Sequence, residues 1–196
     1  MKYRNLSHSV DELWRKIRRL LGKVNVYFAK WWGVTIGKRC VFFGKTYFKR
    51  FPGSIISIGD ECEFLSAQNS NLIGINHRCR VTTLNENAVV KIGSRCGFSG
   101  TIIAASKSII LGDNVRCGAN TLITDSDWHP EDPRSGKDKE VIIGNNVWLG
   151  VNVTVLKGVT IGDNCVIGAG SVVTKSIAAN KMAAGNPCRE IKDIVL

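Results

Sequence analysis

The sequence predicts an all-β chain, a triangular solenoid of stacked parallel strands with one amphipathic helix in front of it. Three observations carry this. From Ile143 an aliphatic residue returns every six positions, at Leu149, Val155, Ile161, Ile167 and Val173. Glycine follows it at 144, 150, 162 and 168, and a small or β-branched residue stands four places on, as at Val147, Val153, Val159, Cys165 and Ser171. Ile-Gly or a near equivalent then recurs at 36, 58, 75, 92, 111, 143 and 161, mostly in steps close to three hexads. Each hexad supplies one short strand and one corner. Three close a turn, and successive turns stack with their aliphatics on the axis. A sandwich of ordinary strands would need period-two alternation with turn signals roughly every 8–12 residues, and a six-residue phase excludes it.

Composition narrows the class. The 196 residues suffice for one domain with an appendage; 44% are hydrophobic and 22% charged, which excludes a disordered tail. No apolar run is long enough to span a bilayer, and the first residues lack the core of a secretory signal, so the expected location is the cytoplasm. The net charge of +11 is local. Residues 1–50 hold 13 Lys/Arg against 2 Asp/Glu, and the remaining residues balance at 14 of each. Such an end suits anionic lipid, nucleic acid or an acidic partner.

Residues 1–33 form the N-terminal segment. Ser9 and Glu12 have capping-box spacing. Leu13, Ile17, Leu20, Val24, Phe28 and Trp31 then recur at three- and four-residue steps, one apolar face of a helix. Arg15, Lys16, Arg18, Arg19, Lys23 and Lys30 fill much of the rest, and Gly22 weakens the pattern. Two roles fit: a cap over the open end of the solenoid, and an interfacial helix on anionic lipid with Trp14, Trp31 and Trp32 at the headgroups. Nucleic acid fits less well, because no base-stacking or DNA-reading motif accompanies the charge.

Residues 34–178 are the solenoid. Working back from Ile143, the inward phase reads Leu111, Cys117 and Ile123, then Ile92, Phe98 and Ala104, with fainter copies at Ile75 and Val81, Ile58 and Phe64, and Ile36, Phe42 and Phe48. Cys40, Cys62, Cys79, Cys96 and Cys165 all take the fifth place of a coil-opening hexad, as small interior residues. No C-x-x-C pair exists among the seven cysteines, so zinc and redox readings lack their spacing. After Ile123 the next inward aliphatic is due at 129 and arrives at 143. Residues of about 127–140 must therefore leave the prism as a loop, and long excursions from rigid scaffolds are usually functional. Residues 179–196 form a C-terminal tail.

The stretch Ile143-Gly-Asn-Asn-Val-Trp-Leu-Gly, the run Ile161-Gly-Asp-Asn-Cys-Val-Ile-Gly-Ala-Gly-Ser-Val-Val-Thr-Lys and the ending Ala184-Gly-Asn-Pro-Cys-Arg resemble the hexapeptide-repeat acyltransferases. The likeness is greatest to the maltose/galactoside O-acetyltransferase branch and its relatives in surface-polysaccharide synthesis. It implies a left-handed parallel β-helix, although parallel crossovers are in general right-handed. It also implies a homotrimer with active sites between subunits and acetyl-CoA as co-substrate.

The excursion carries Asp127-Trp-His-Pro130. An unperturbed imidazole can take a proton around neutrality, the chemistry needed to deprotonate a substrate hydroxyl; the resemblance makes His129 the catalytic base. Asp125 and Asp127 stand close by, as groups that orient the imidazole, bind a sugar hydroxyl or remain solvated. A zinc enzyme needs more ligands than His77 and His129 supply, so no metal is expected. Ser99 and Asn120 match acceptor-pocket positions of the family, and a polar corner residue is the plain alternative. By resemblance, Gly150 and Ala169 give pantetheine close backbone approach, Trp148 walls the thiol channel, and Thr174 and Lys175 flank the nucleotide. Arg189 and Lys192 meet phosphates. Val151 stands where relatives often carry Ser, which removes one coenzyme hydrogen bond. Simple repeat geometry accounts equally well for Gly150 and Ala169. Cys188 is a tail residue by the same resemblance.

The expected activity is acetyl transfer from acetyl-CoA to a sugar hydroxyl, on a small-molecule or lipid-linked intermediate, with peripheral membrane contact through the N-terminal segment. N-acetylation of an amino sugar, antibiotic or serine acetylation, and a noncatalytic scaffold are the alternatives.

Overall fold

The computed structural model describes residues 2–195, with the side chains of all of these except residues 2–8, 11, 15 and 18. Short parallel strands wind into three sheets, the faces of a triangular prism. The first face stacks Thr35–Ile36, Ile55–Ile58, Val89–Ile92, Ser108–Leu111, Val141–Ile143 and Thr160–Ile161. The second stacks Val41–Phe43, Glu63–Leu65, Gly97–Ser99, Arg116–Cys117, Trp148–Leu149 and Val166–Ile167, and continues into Lys181–Gly185 and Cys188–Asp193. The third stacks Tyr47–Lys49, Arg80–Thr83, Ile102–Ala105, Leu122–Thr124, Thr154–Val155 and Val172–Val173.

The six-residue phase is the distance from one inward side chain to the next around a coil. Ile36, Ile58, Ile92, Leu111, Ile143 and Ile161 pair in register up the first face. Phe42, Phe64, Phe98, Cys117, Leu149 and Ile167 do so on the second. Phe42 and Phe64 stack with centroids 4.8 Å apart, and Phe64 and Phe98 at 4.7 Å. These rings fill the prism at its N-terminal end, where aromatic pairs add to the area they bury.

The corners explain the Gly-Asp/Asn-Asn motif. Asp113 Oδ1 accepts the Ser94 N–H at 2.8 Å, Asn145 Oδ1 that of Asp113 at 2.8 Å, and Asp163 Oδ1 that of Asn145 at 2.6 Å. The next residue of each corner is left-handed, at Asn114, Asn146, Asn164 and Asn180. Their amides donate up the stack, 2.8–3.0 Å apart, so the corner chemistry that Asn tolerates also ties coil to coil.

Four details of the sequence reading change. Ile75 opens no coil: residues 66–79 form a second excursion between the second and third faces, and the prism has six coils. Ile103, not Ala104, pairs with Ile123 on the axis. Cys40, Cys62, Cys96 and Cys165 share one column, each thiol donating to a carbonyl one layer on (for Cys165 that of Ala178, past the last coil), but Cys79 precedes a third-face strand instead. The helix α1 runs Lys2–Trp31, so Ser9 lies within it and not at its N-terminus.

α1 lies along Val41–Phe43 of the first coil. Gly22 is what permits this: a Cβ there would sit 2.0 Å from the Phe42 carbonyl oxygen. Ala29 is buried beside it and Val26 packs on the core. The helix therefore caps the solenoid with its small residues. Its predicted apolar face points the other way, and Leu13, Ile17, Leu20, Val24, Phe28 and Trp31 are all exposed. Arg15 and Arg18 lie outside the residues with described side chains, as does His8.

Candidate active site

The loop at 127–140 leaves the prism at the corner between the third and first faces. Its root is Asp125, fully buried, whose carboxylate accepts the backbone N–H groups of Ser106, Lys107 and Ser108 at 2.7, 2.8 and 2.6 Å. The carboxylate is committed to that corner. The expectation that Asp125 orients His129 or meets a sugar is corrected on this ground.

Asp127 ties the loop down. It pairs with Lys157 of the following coil and accepts the Gly136 N–H at 3.1 Å, while Lys157 donates to the Gly136 carbonyl at 2.8 Å. The Lys157 hydrogen bond, then that from Gly136, holds the Asp127 carboxyl below its ordinary value. Trp128 takes φ 69°, a strained conformation for a bulky side chain, and it is the residue that turns the chain into His129. The loop encloses a depression of about 280 Å³ lined by Trp128, His129, Pro130 and Asp138, among others.

His129 is 71% exposed at its side chain, and Nδ1 lies 3.2 Å from Glu131 Oε1. An N–H on Nδ1 donating to that carboxylate leaves the Nε2 lone pair free to take a proton. Its own backbone N–H, then His129, keeps the Glu131 carboxyl below the usual range. Glu131 escaped the sequence reading, which weighed only carboxylates upstream of the histidine; its position two residues downstream was the available signal. His77 stands on the other excursion, so the two histidines do not meet within one chain.

The excursion at 66–79 folds over the expected acceptor residues. Asn71 Nδ2 donates to Ser99 Oγ at 3.0 Å, and Asn120 Oδ1 accepts the Asn76 N–H at 2.8 Å. Ser99 is buried, and Asn120 is left-handed at φ 61°. Next to them an open groove of about 440 Å³ crosses the second face, lined by Glu63, Arg95, Ser99, Arg116 and Trp148. Gly97 leaves a notch in its floor between Glu63 and Arg116, and Trp148 is 56% exposed there. These charged groups beside an aromatic ring were also missed, since their outward register becomes visible only when strands are stacked.

The expected coenzyme residues divide between two corners and the second face, which carries Trp148, Arg189 and Lys192. Gly150, Val151 and Ala169 lie with Asn120 on the corner between the second and third faces. Gly150 is demanded by stacking alone, since its Cβ would come within 2.7 Å of the Ala169 backbone nitrogen. Thr174 and Lys175 follow Val172–Val173 and are exposed on the corner of His129's loop. Arg189 and Lys192 are exposed on Cys188–Asp193, the antiparallel last strand of the second face. A full width of the third face separates the two corners. Cys188 is buried, and burial pushes its thiol pKa up, which removes it as a nucleophile.

Residues 140–175 match the family model described as bacterial transferase hexapeptide (six repeats). The galactoside O-acetyltransferase of Escherichia coli (strain K12) is 47% identical over 92 residues, 44% of this chain and 45% of its own. The chain spans about half the length of the curated relatives it matches. A solved galactoside acetyltransferase in complex with coenzyme A is 26% identical and superposes with a TM-score of 0.53, covering 92% of this chain and 82% of its own. An N-acyltransferase of Bacillus cereus, in complex with dTDP and 3-hydroxybutyryl-CoA, shares the fold at 19% identity and a TM-score of 0.65, over 86% and 88% of the two chains. On repeat and fold alike, the chain resembles the hexapeptide-repeat transferases, the galactoside O-acetyltransferases among them.

Proposed function

We propose that the chain is an acetyl-CoA-dependent O-acetyltransferase that modifies a sugar hydroxyl in surface-polysaccharide synthesis, acting in the cytoplasm. The observation that carries this reading is His129, presented on a tethered excursion with Nδ1 held by Glu131 and Nε2 open. Nε2 takes the proton of the acceptor hydroxyl as its oxygen attacks the thioester carbonyl. Backbone N–H groups of a neighbouring coil stabilise the tetrahedral oxyanion. The C–S bond then breaks, the imidazolium returns the proton, and CoA leaves as the thiol. No acyl-enzyme is needed.

The two-corner division of the site supports a homotrimer of left-handed coils. The corner bearing His129, Thr174 and Lys175 on one subunit faces the corner bearing Asn120, Gly150 and Ala169 on the next. Arg189 and Lys192 meet the coenzyme phosphates, and Trp148 walls its thiol end. The basic helix suits an acceptor held at an anionic membrane.

His129→Ala is the test. A general base contributes roughly 10²–10⁴-fold, so turnover falls by that factor while acetyl-CoA binding by calorimetry is unchanged. Unaltered turnover refutes the assignment. Mixing equal amounts of His129→Ala and Asn120→Ala subunits tests the shared site: random trimers regain roughly a quarter of wild-type activity, and none returns if each chain holds a whole site.

A further inference from the structure

We propose that α1 (Lys2–Trp31) lies flat in the surface of an anionic membrane, with Leu13, Ile17, Leu20, Val24, Phe28 and Trp31 immersed at the headgroup boundary. This deepens the membrane contact proposed above, and it stands on the geometry of the helix, not on the acetyl-transfer chemistry.

A helix that only capped the solenoid would turn its apolar stripe onto the coil. Here Gly22, Val26 and Ala29 make that contact, and at 100° per residue they share one arc. The six apolar residues occupy the opposite arc and remain 37–73% exposed, lowest at Ile17 and highest at Trp31. From Leu13 to Trp31 the stripe runs about 27 Å at 1.5 Å per residue. A free apolar face of this length is far beyond the scattered exposed hydrophobes of an ordinary surface.

Charge selects the occupant. Grooves of about 630 and 450 Å³ flank the helix, and each carries cations: Lys16, Arg19 and Lys23 on one side, Lys45 and Arg78 on the other. One edge of the apolar stripe is therefore rimmed by helix cations, while beyond the other edge, past Leu21 and Trp32, the prism supplies Lys45 and Arg78, an arrangement that an anionic lipid surface accepts. The +11 of residues 1–50 lies at this end and the rest of the chain is neutral, so attraction acts on one end of the prism and orients it. No helix among the described residues is long and apolar enough to cross a membrane, so the contact is peripheral. In a trimer the three helices share one end, and their weak individual attachments combine.

The test is co-sedimentation of the full chain with vesicles of phosphatidylcholine, with and without phosphatidylglycerol, at low and high salt. The proposal expects pelleting with the anionic vesicles only, weakened by salt. Leu20→Ser/Val24→Ser/Phe28→Ser should bind roughly tenfold less or weaker, with melting temperature and light-scattering mass unchanged because these side chains touch solvent. Lys16→Gln/Lys23→Gln should weaken the anionic preference and keep the salt trend. Three results overturn it: no pelleting of the wild type, equal pelleting of the triple-Ser variant, or a lower mass for that variant, which would make the stripe a contact between copies. Acetyl-CoA calorimetry on the same samples separates this outcome from failure of the transferase reading.

Discussion

Asp125 decides between a ligand and a keystone. Its carboxylate is fully buried and accepts three backbone N–H groups at 2.6–2.8 Å. Hydrogen bonds to a charged group contribute about 1.5–3 kcal/mol each, and each buried donor left without a partner costs about 1–3 kcal/mol. Asp125→Ala orphans all three, and partial relaxation with entry of water leaves an expected loss of about 4 kcal/mol. Asp125→Asn keeps one acceptor oxygen but turns an NH₂ toward an N–H, for about 2 kcal/mol. With an m-value near 2 kcal/mol/M, the urea midpoints read by circular dichroism should fall by about 2 M and 1 M. Acetyl transfer below the transition should suffer less in Asn than in Ala, since the loop root is only loosened. The reasoning fails if Asp125→Asn unfolds at the wild-type urea concentration and loses acceptor affinity, for the carboxylate would then be a substrate ligand.

Three further outcomes follow from the same geometry. Glu131→Gln removes the charge beside His129 Nδ1; both groups are exposed, so melting stays put while kcat drops about tenfold and the KM for acetyl-CoA is unchanged. The Asp127–Lys157 tether contributes its stability above the ordinary carboxyl value of 3.8 and loses it only as pH falls through the lowered folded value. Limited proteolysis of residues 127–140 should therefore be flat from about pH 8 to pH 5 and accelerate below 3.8, whereas Lys157→Met should be cut faster throughout. Gly150→Ala should lower the stability of the ligand-free protein by about 1–3 kcal/mol, because its Cβ collides with the next coil; melting without acetyl-CoA reads this, and an unchanged melt would assign Gly150 to the coenzyme.

Periodicity made the prism legible because one inward side chain per hexad is a strict geometric demand, met at 17 of the 18 inward places of the six coils as the phase placed them; the exception is Ile103 beside Ala104. The excursion of 127–140 was readable for the same reason, as a gap in the phase. The one at 66–79 was hidden, since Ile75-Asn imitates a coil opening and splits the interval from Ile58 to Ile92 into two ordinary steps. Ile75 is buried, but beneath that loop against Gly100. The helix was legible and its orientation was not: a moment names an apolar side, and only the contact between Gly22 and Phe42 shows which side is docked. His129 was accessible as the histidine of a long loop. Its partner Glu131 and the groove beside Trp148 depend on how the loop curls and how strands align.

A stack of like coils contains no instruction for how many coils to build. Each finished coil offers the next the same row of donors and acceptors, and growth at about 4.8 Å per layer could continue from either end. What counts to six is the pair of unlike termini. At one end α1 seats Gly22 on the Phe42 carbonyl. At the other, Lys181–Gly185 adds one more parallel strand before Cys188–Asp193 runs back against it, so the outermost edge there has reversed polarity. The termini act as polymerisation stops, and their loss would turn a molecule of fixed length into a seed for filaments.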